Sequence, residues 1–150
     1  MNAQNAGFTL IEMVAAAAIA ILLATAAMPV YQQAVISSKR AEAQSLMEEL
    51  MQQQERHFSQ FNTYIAFSSV ATDPEARQFR WWSGRSPPRS AYELEGKACD
   101  GDDIRNCIQL VAKPGTALVD SHFQDRQCEQ LTLTSTGQRS ATGPATSCWR

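Results

Sequence analysis

Residues 8–30 read FTLIEMVAAAAIAILLATAAMPV, 23 residues with a single charged side chain, Glu12. As an α-helix this stretch is roughly 35 Å long, enough to cross a hydrocarbon core of ~30 Å. Its alanines and leucines are good helix formers. Two residues do not suit a plain apolar rod. A carboxylate in hydrocarbon costs ~2.5–3.5 kcal/mol, so Glu12 points to function. Pro29 lacks a backbone donor and loosens the helix near its far end. A secretory signal cut after Ala24-Thr25-Ala26 or Thr25-Ala26-Ala27 would discard the rod. Against that, the preceding MNAQNAG carries no Lys or Arg, and an acid opens the apolar run. A simple membrane anchor leaves Glu12 without a role.

Gly7-Phe8-Thr9-Leu10-Ile11-Glu12 resembles the type III (prepilin) signal of type IV pilins and type II secretion pseudopilins. The likeness includes the glycine before the cut, the acid at the fifth mature position and the proline at the twenty-second, Pro29. It implies that a prepilin peptidase cleaves between Gly7 and Phe8 and methylates the new amine of Phe8. Residues 1–7 are then a leader, and 8–30 are a helix that sits first in the inner membrane and later in a filament core. Glu12 lies in the first helical turn, where the macrodipole favours an anion, and can pair with the amine of a neighbouring subunit. The implied partners are other pilins, the peptidase and the inner-membrane assembly platform.

The rest of the chain is a different solvent problem. Thirteen Lys/Arg against fifteen Asp/Glu leave a net charge of −2 over 150 residues, which disfavours a globally basic nucleic-acid binder. Every charge but Glu12 lies beyond Ser38. Residues 31–61 contain no Gly or Pro, and Ala43, Leu46, Met47, Leu50, Met51, Phe58 and Phe61 recur at helical spacing, interrupted by Gln54. Lys39, Arg40, Glu48, Glu49 and Arg56 fall mainly on the other side. The pattern predicts one helix through residues 8–61, its second part amphipathic. Residues 62–90 hold Pro74, Gly84, Pro87 and Pro88 and read as a connection. Alternation then predicts strands at Tyr92–Glu95, Cys107–Val111 and Leu131–Thr134, with a last edge strand at Gln138–Ser140. The fold class is α+β: one long helix packed on an antiparallel sheet of three to four strands, with residues 62–150 as the head.

Four cysteines, Cys99, Cys107, Cys128 and Cys148, all lie in that head, in an oxidising compartment if it is exported. Three pairings are possible, and no Cys-x-x-Cys or paired histidine suggests zinc. The ending CEQLTLTSTGQRSATGPATSCW is similar to the C-terminal disulfide loop of PilE-type minor pilins. That resemblance implies a Cys128–Cys148 bridge and the type IV pilin fold. It favours a minor pilus subunit over a secretion pseudopilin, with a single-pass inner-membrane form, a periplasmic head and a final place in the extracellular pilus of a Gram-negative bacterium.

Residues 77–89, RQFRWWSGRSPPR, contain Arg77, Arg80, Arg85 and Arg89, the aromatics Phe79, Trp81 and Trp82, and no acid. Arginine forks bind phosphate and exposed indoles stack on bases, which suits DNA captured by a pilus. The plainer alternative has Phe79 and one tryptophan filling the core, with the arginines solvated or facing other subunits. Asp100, Asp102 and Asp103 form a short acidic loop without EF-hand spacing, so neither calcium nor any other cofactor is expected. No Gly-x-Ser-x-Gly, phosphate loop or HExxH frames a catalytic group, and no enzyme is expected.

Overall fold

Helix α1, Leu10–Phe61, is the first element of the computed structural model, which describes residues 9–149. The expected cleavage and methylation positions, Gly7 and Phe8, lie outside the described residues. The chain divides within α1 into two units, at Ser37/Ser38. In the first unit, Leu10, Ile11, Ile19, Leu22, Leu23 and Val30 are all exposed, an apolar surface left uncovered among the described residues. Pro29 lies inside the helix and withholds the N–H that the carbonyl four residues earlier would otherwise receive.

In the second unit, Ala43, Leu46, Met47 and Leu50 recur at i, i+3, i+4 and i+7 and are buried on one face. Asn62, at φ 53°, ends the helix in the left-handed region, its N–H donating to the Phe58 carbonyl at 2.8 Å. After two short 3-10 turns, 76–78 and 87–89, four antiparallel strands follow: β1 Tyr92–Ala98, β2 Ile108–Pro114, β3 Leu131–Thr134 and β4 Arg139–Ala141. They form a simple meander, β1-β2-β3-β4. Leu94 lies opposite Ala112, Leu110 opposite Leu133 and Ala112 opposite Leu131. This register puts one apolar row against the buried face of α1. Leu50, Leu94, Leu110 and Leu131 are fully buried, each stabilising the head by about 1.5–3 kcal/mol.

The strands differ from the alternation pattern at their ends. β1 runs on to Ala98, β2 occupies 108–114 rather than 107–111, and β4 lies one residue later than expected. Backbone pairing prolongs β1 and β2 beyond the point where their side chains stop alternating, because each residue there still finds a ladder partner. Cys99–Cys107 closes the β1–β2 hairpin, and Cys128–Cys148 ties the chain ahead of β3 to the C-terminal segment.

Two helix positions reverse the expected sides. Phe61, counted with the buried stripe, is exposed at the helix end. Arg40, counted with the exposed side, is buried, and its Nε and Nη2 donate to the two oxygens of Asp125 at 2.7 and 2.8 Å. The Tyr92 hydroxyl donates to the same carboxylate, as does the Cys128 N–H at 3.1 Å. Burial by itself pulls Asp125 up, but these donors outweigh it and hold the carboxyl below its usual range. Burial and the adjacent carboxylate push the Tyr92 hydroxyl far upward, so it stays a donor.

Candidate functional site

The connection between α1 and β1 carries the site, and backbone bonds to β1 hold it. Phe67 and Gly96 exchange both N–H···O bonds at 2.9 Å. Further on, the Leu94 N–H donates to the Trp81 carbonyl at 2.7 Å and the Ser83 N–H to the Tyr92 carbonyl at 3.0 Å. These two brackets cover the outer edge of β1, which would otherwise present unpaired backbone groups. Between them, Ser69 Oγ donates to Glu93 Oε1 at 2.9 Å, while Phe79 is buried and stacks on Phe67 with centroids 5.2 Å apart.

The brackets leave a cleft of about 660 Å³, with residues 68–72 as one wall and 77–82 as the other. Arg77, Arg80, Trp81 and Trp82 therefore come together in one site. The two indoles are half-buried and meet edge to face at 5.2 Å and 77°. Arg85 lies instead in a neighbouring cleft of about 320 Å³, which Arg80 also lines, beside Glu42 and Glu49 of α1. Arg89 ends the 87–89 turn, exposed and outside both clefts.

Sequence reading missed a third cleft, of about 460 Å³, where Arg56, His57 and Gln60 of α1 face Gln78 and Phe79. Gln78 and Phe79 line both this cleft and the one of about 660 Å³, so the two adjoin. His57 Nδ1 lies 2.8 Å from the Thr63 carbonyl, an acceptor only, so this nitrogen carries the proton and donates; Nε2 lies 3.8 Å from Glu75. Arg56 belongs to an i, i+4 row with Gln60 on the exposed side of α1. That row was readable as basic and polar, but its proximity to Gln78 was not.

Lys39, Arg40, Arg105, Lys113 and Arg139 each pair with a carboxylate of the chain, at 2.7–3.3 Å. Among the described residues, Arg77, Arg80, Arg85 and Arg89 make no ion pair, and neither do Arg56, Lys97 and Arg126.

The acidic loop after β1 is occupied with its own donors. Asp100 accepts from the Gln109 amide at 2.8 Å, Asp102 from the Asp103 N–H and Asn106, and Asp103 from the Arg105 backbone and guanidinium. The Arg105 backbone N–H, aided by its side chain, holds the Asp103 carboxyl below its usual range. No group of three or more His, Cys, Asp or Glu side chains among the described residues could hold a metal ion.

At the N-terminal end of α1, Thr9 and Glu12 form a capping box. The Thr9 N–H and hydroxyl donate to Glu12 Oε2 at 2.8 and 2.7 Å, and the Glu12 N–H lies 3.4 Å from Thr9 Oγ1. The acid in the apolar segment thus has donors within its own chain.

Residues 2–28 match the model of the prokaryotic N-terminal methylation motif. Residues 29–132 match the family described as "Type IV minor pilin ComP, DNA uptake sequence receptor". Among solved structures, the chain is similar to a type IV pilin from Shewanella oneidensis, with 26% identity, 77% of this chain and 98% of that one covered, and a TM-score of 0.49. It is also similar to the non-core minor pilin PilV of Neisseria meningitidis, with 16% identity, 76% and 93% coverage, and a TM-score of 0.48. No curated protein sequence matches the chain. Helix, meander, terminal disulfide loop and both family matches agree, and the chain belongs to the ComP family of type IV minor pilins, subunits of a pilus.

Proposed function

We propose that this minor pilin captures extracellular DNA for uptake, meeting it with the surface of residues 77–89. One observation carries the reading: the four arginines clustered in this segment are all exposed and make no ion pair, while five of the eight other described cations of the head are paired with carboxylates. Guanidinium groups without internal partners are free to displace counterions from phosphates. The matching family, described as a DNA uptake sequence receptor, supports the same ligand. The role is binding rather than catalysis.

The test uses the full chain in detergent, with Arg77, Arg80, Arg85 and Arg89 all changed to Gln. Each lost phosphate contact lowers the slope of log affinity against log salt by about 0.9 on duplex DNA. The expected outcome is weaker binding and a flatter slope. An unchanged affinity and slope in the fourfold variant overturns the reading.

Maturation and assembly follow the prepilin scheme in this proposal. The prepilin peptidase cuts between Gly7 and Phe8 and methylates Phe8. The platform in the inner membrane of a Gram-negative cell then draws the apolar part of α1 into the filament. Glu12 exchanges its Thr9 donors for the amine of a neighbouring subunit, which sets the axial register. The methylation-motif match and the uncovered apolar surface of α1 support this route.

A further inference from the structure

Residues 40, 44 and 48 of α1 are spaced by four and so lie in one row along the helix. Each reaches a different point on or beside the Cys128–Cys148 loop. Arg40 donates to both oxygens of Asp125, whose Oδ1 also receives the Cys128 N–H at 3.1 Å. The Gln44 amide donates to the Cys148 carbonyl at 2.6 Å. Glu48 accepts from Arg139 at 2.8 Å, and that guanidinium lies 5.7 Å from the centre of the Trp149 ring. We infer that Arg40, Gln44 and Glu48 are positioning residues, a template on which the C-terminal limb docks while its cysteines are still thiols. Docking there directs Cys128 to Cys148 rather than to Cys107.

Chain length alone does not make that choice. Cys107 stands almost as near to Cys128 along the chain as Cys148 does. Loop-closure cost rises only slowly with length, so the two closures cost nearly the same in the unfolded chain. Pairing at Cys107 would strand Cys99 with Cys148. The β3–β4 hairpin narrows the gap, because its pairing continues from the Gly143 N–H to the Cys128 carbonyl and from the Ala145 N–H to the Gln127 carbonyl, at 3.0 and 2.9 Å. Past Ala145 no backbone–backbone bond holds the described chain, and Gln44 is the group that catches Cys148. Arg40 meanwhile fixes Asp125, three residues ahead of Cys128. Holding both limbs against one helix raises the effective concentration of one thiol near the other. Because α1 precedes both cysteines, it is synthesised first. Closure is thiol–disulfide exchange with a small disulfide oxidant such as oxidised glutathione. One cysteine thiolate attacks the oxidant and expels a thiol, and the second thiolate displaces the other. The two cysteines thereby lose two electrons and two protons and gain one S–S bond, while the oxidant leaves as two thiols. Cys99–Cys107 needs no such template, since it closes a hairpin whose strands pair as far as Ala98 opposite Ile108.

The test reduces and unfolds the full chain in urea and detergent, then refolds it in a mixture of oxidised and reduced glutathione. Free thiols are trapped at intervals, and the linked peptides are mapped by mass spectrometry. Closure of Cys99–Cys107 in the same chain is the internal standard, because a variant that merely destabilises the head slows both bridges. Gln44→Ala should slow Cys128–Cys148 about 2- to 10-fold relative to that standard and raise the yield of Cys107–Cys128. Arg40→Met should do so more strongly, with Arg40→Lys, which keeps the charge but not the fork, in between. If Arg40→Met does not fold, the double variant Gln44→Ala/Glu48→Ala decides, since it leaves the buried Arg40–Asp125 pair intact. An unchanged ratio of the two closure rates in that double variant, or equal slowing of both bridges, overturns the inference.

Discussion

At the scale of single residues, the head is pinned by one buried cluster. Asp125 accepts from Arg40 on α1, Tyr92 on β1 and the backbone of Cys128. Its carboxyl titrates lower in the fold than in the unfolded chain, so its contribution is present above the unfolded value of about 4 and is lost as pH falls through the folded value. Asp125→Asn leaves Arg40 buried without its counter-charge and should cost about 3 kcal/mol at neutral pH. The same variant should lose part of the acid-induced decline in stability, which denaturant melts between pH 3 and 7 would record. An unchanged acid limb would show that other carboxylates govern it. The sequence reading put Arg40 on the solvent side, although its spacing argues otherwise. Positions 40, 43, 47, 50 and 54 continue one core stripe, and a polar residue on such a stripe must find a partner inside. Gln54 does so with both bonds to the Ile65 backbone, at 2.8 and 2.9 Å. The partner of Arg40 lies 85 residues away and leaves no local pattern.

Among the elements, those with a period were legible and the one without was not. The helix shows its 3.6-residue stripe and the strands their alternation, because each buries one face on the other. Residues 62–90 are ordered by exchanges of backbone bonds with β1, which any sequence can make, so their course had no signature. The composition of 77–89 did mark Arg77, Arg80, Trp81 and Trp82, which fold into one site, but gave no hint that Arg85 and Arg89 lie outside it or that Arg56 adjoins it. Gly96 is the weak point of this construction. A Cβ there would sit 2.5 Å from the Phe67 ring, which is itself stacked on Phe79. Gly96→Val should therefore destabilise the head by about 1–3 kcal/mol in chemical unfolding, by forcing the ring and the bracket apart. A variant as stable as the parent would mean that the bracket yields without cost.

For the whole molecule, the two units answer to different surroundings: a head with its own core, and a helical segment whose apolar side chains are exposed among the described residues. Glu12 links the second to assembly. In Glu12→Ala the helix loses a capping box worth about 1 kcal/mol but gains an apolar residue, so membrane insertion should be undiminished. Incorporation into sheared pili, measured against the membrane pool by immunoblot, should fall at least tenfold. Normal incorporation would remove Glu12 from the register mechanism. The disulfides bear on what happens after assembly. Both lie at or beyond Cys99, and the stretch from the end of α1 to β1 has no covalent crosslink. A pull on residues 68–82 therefore falls on four backbone bonds to β1 and on no disulfide. Under load this flap is expected to peel from β1 before either bridged loop opens, leaving the rest of the head folded.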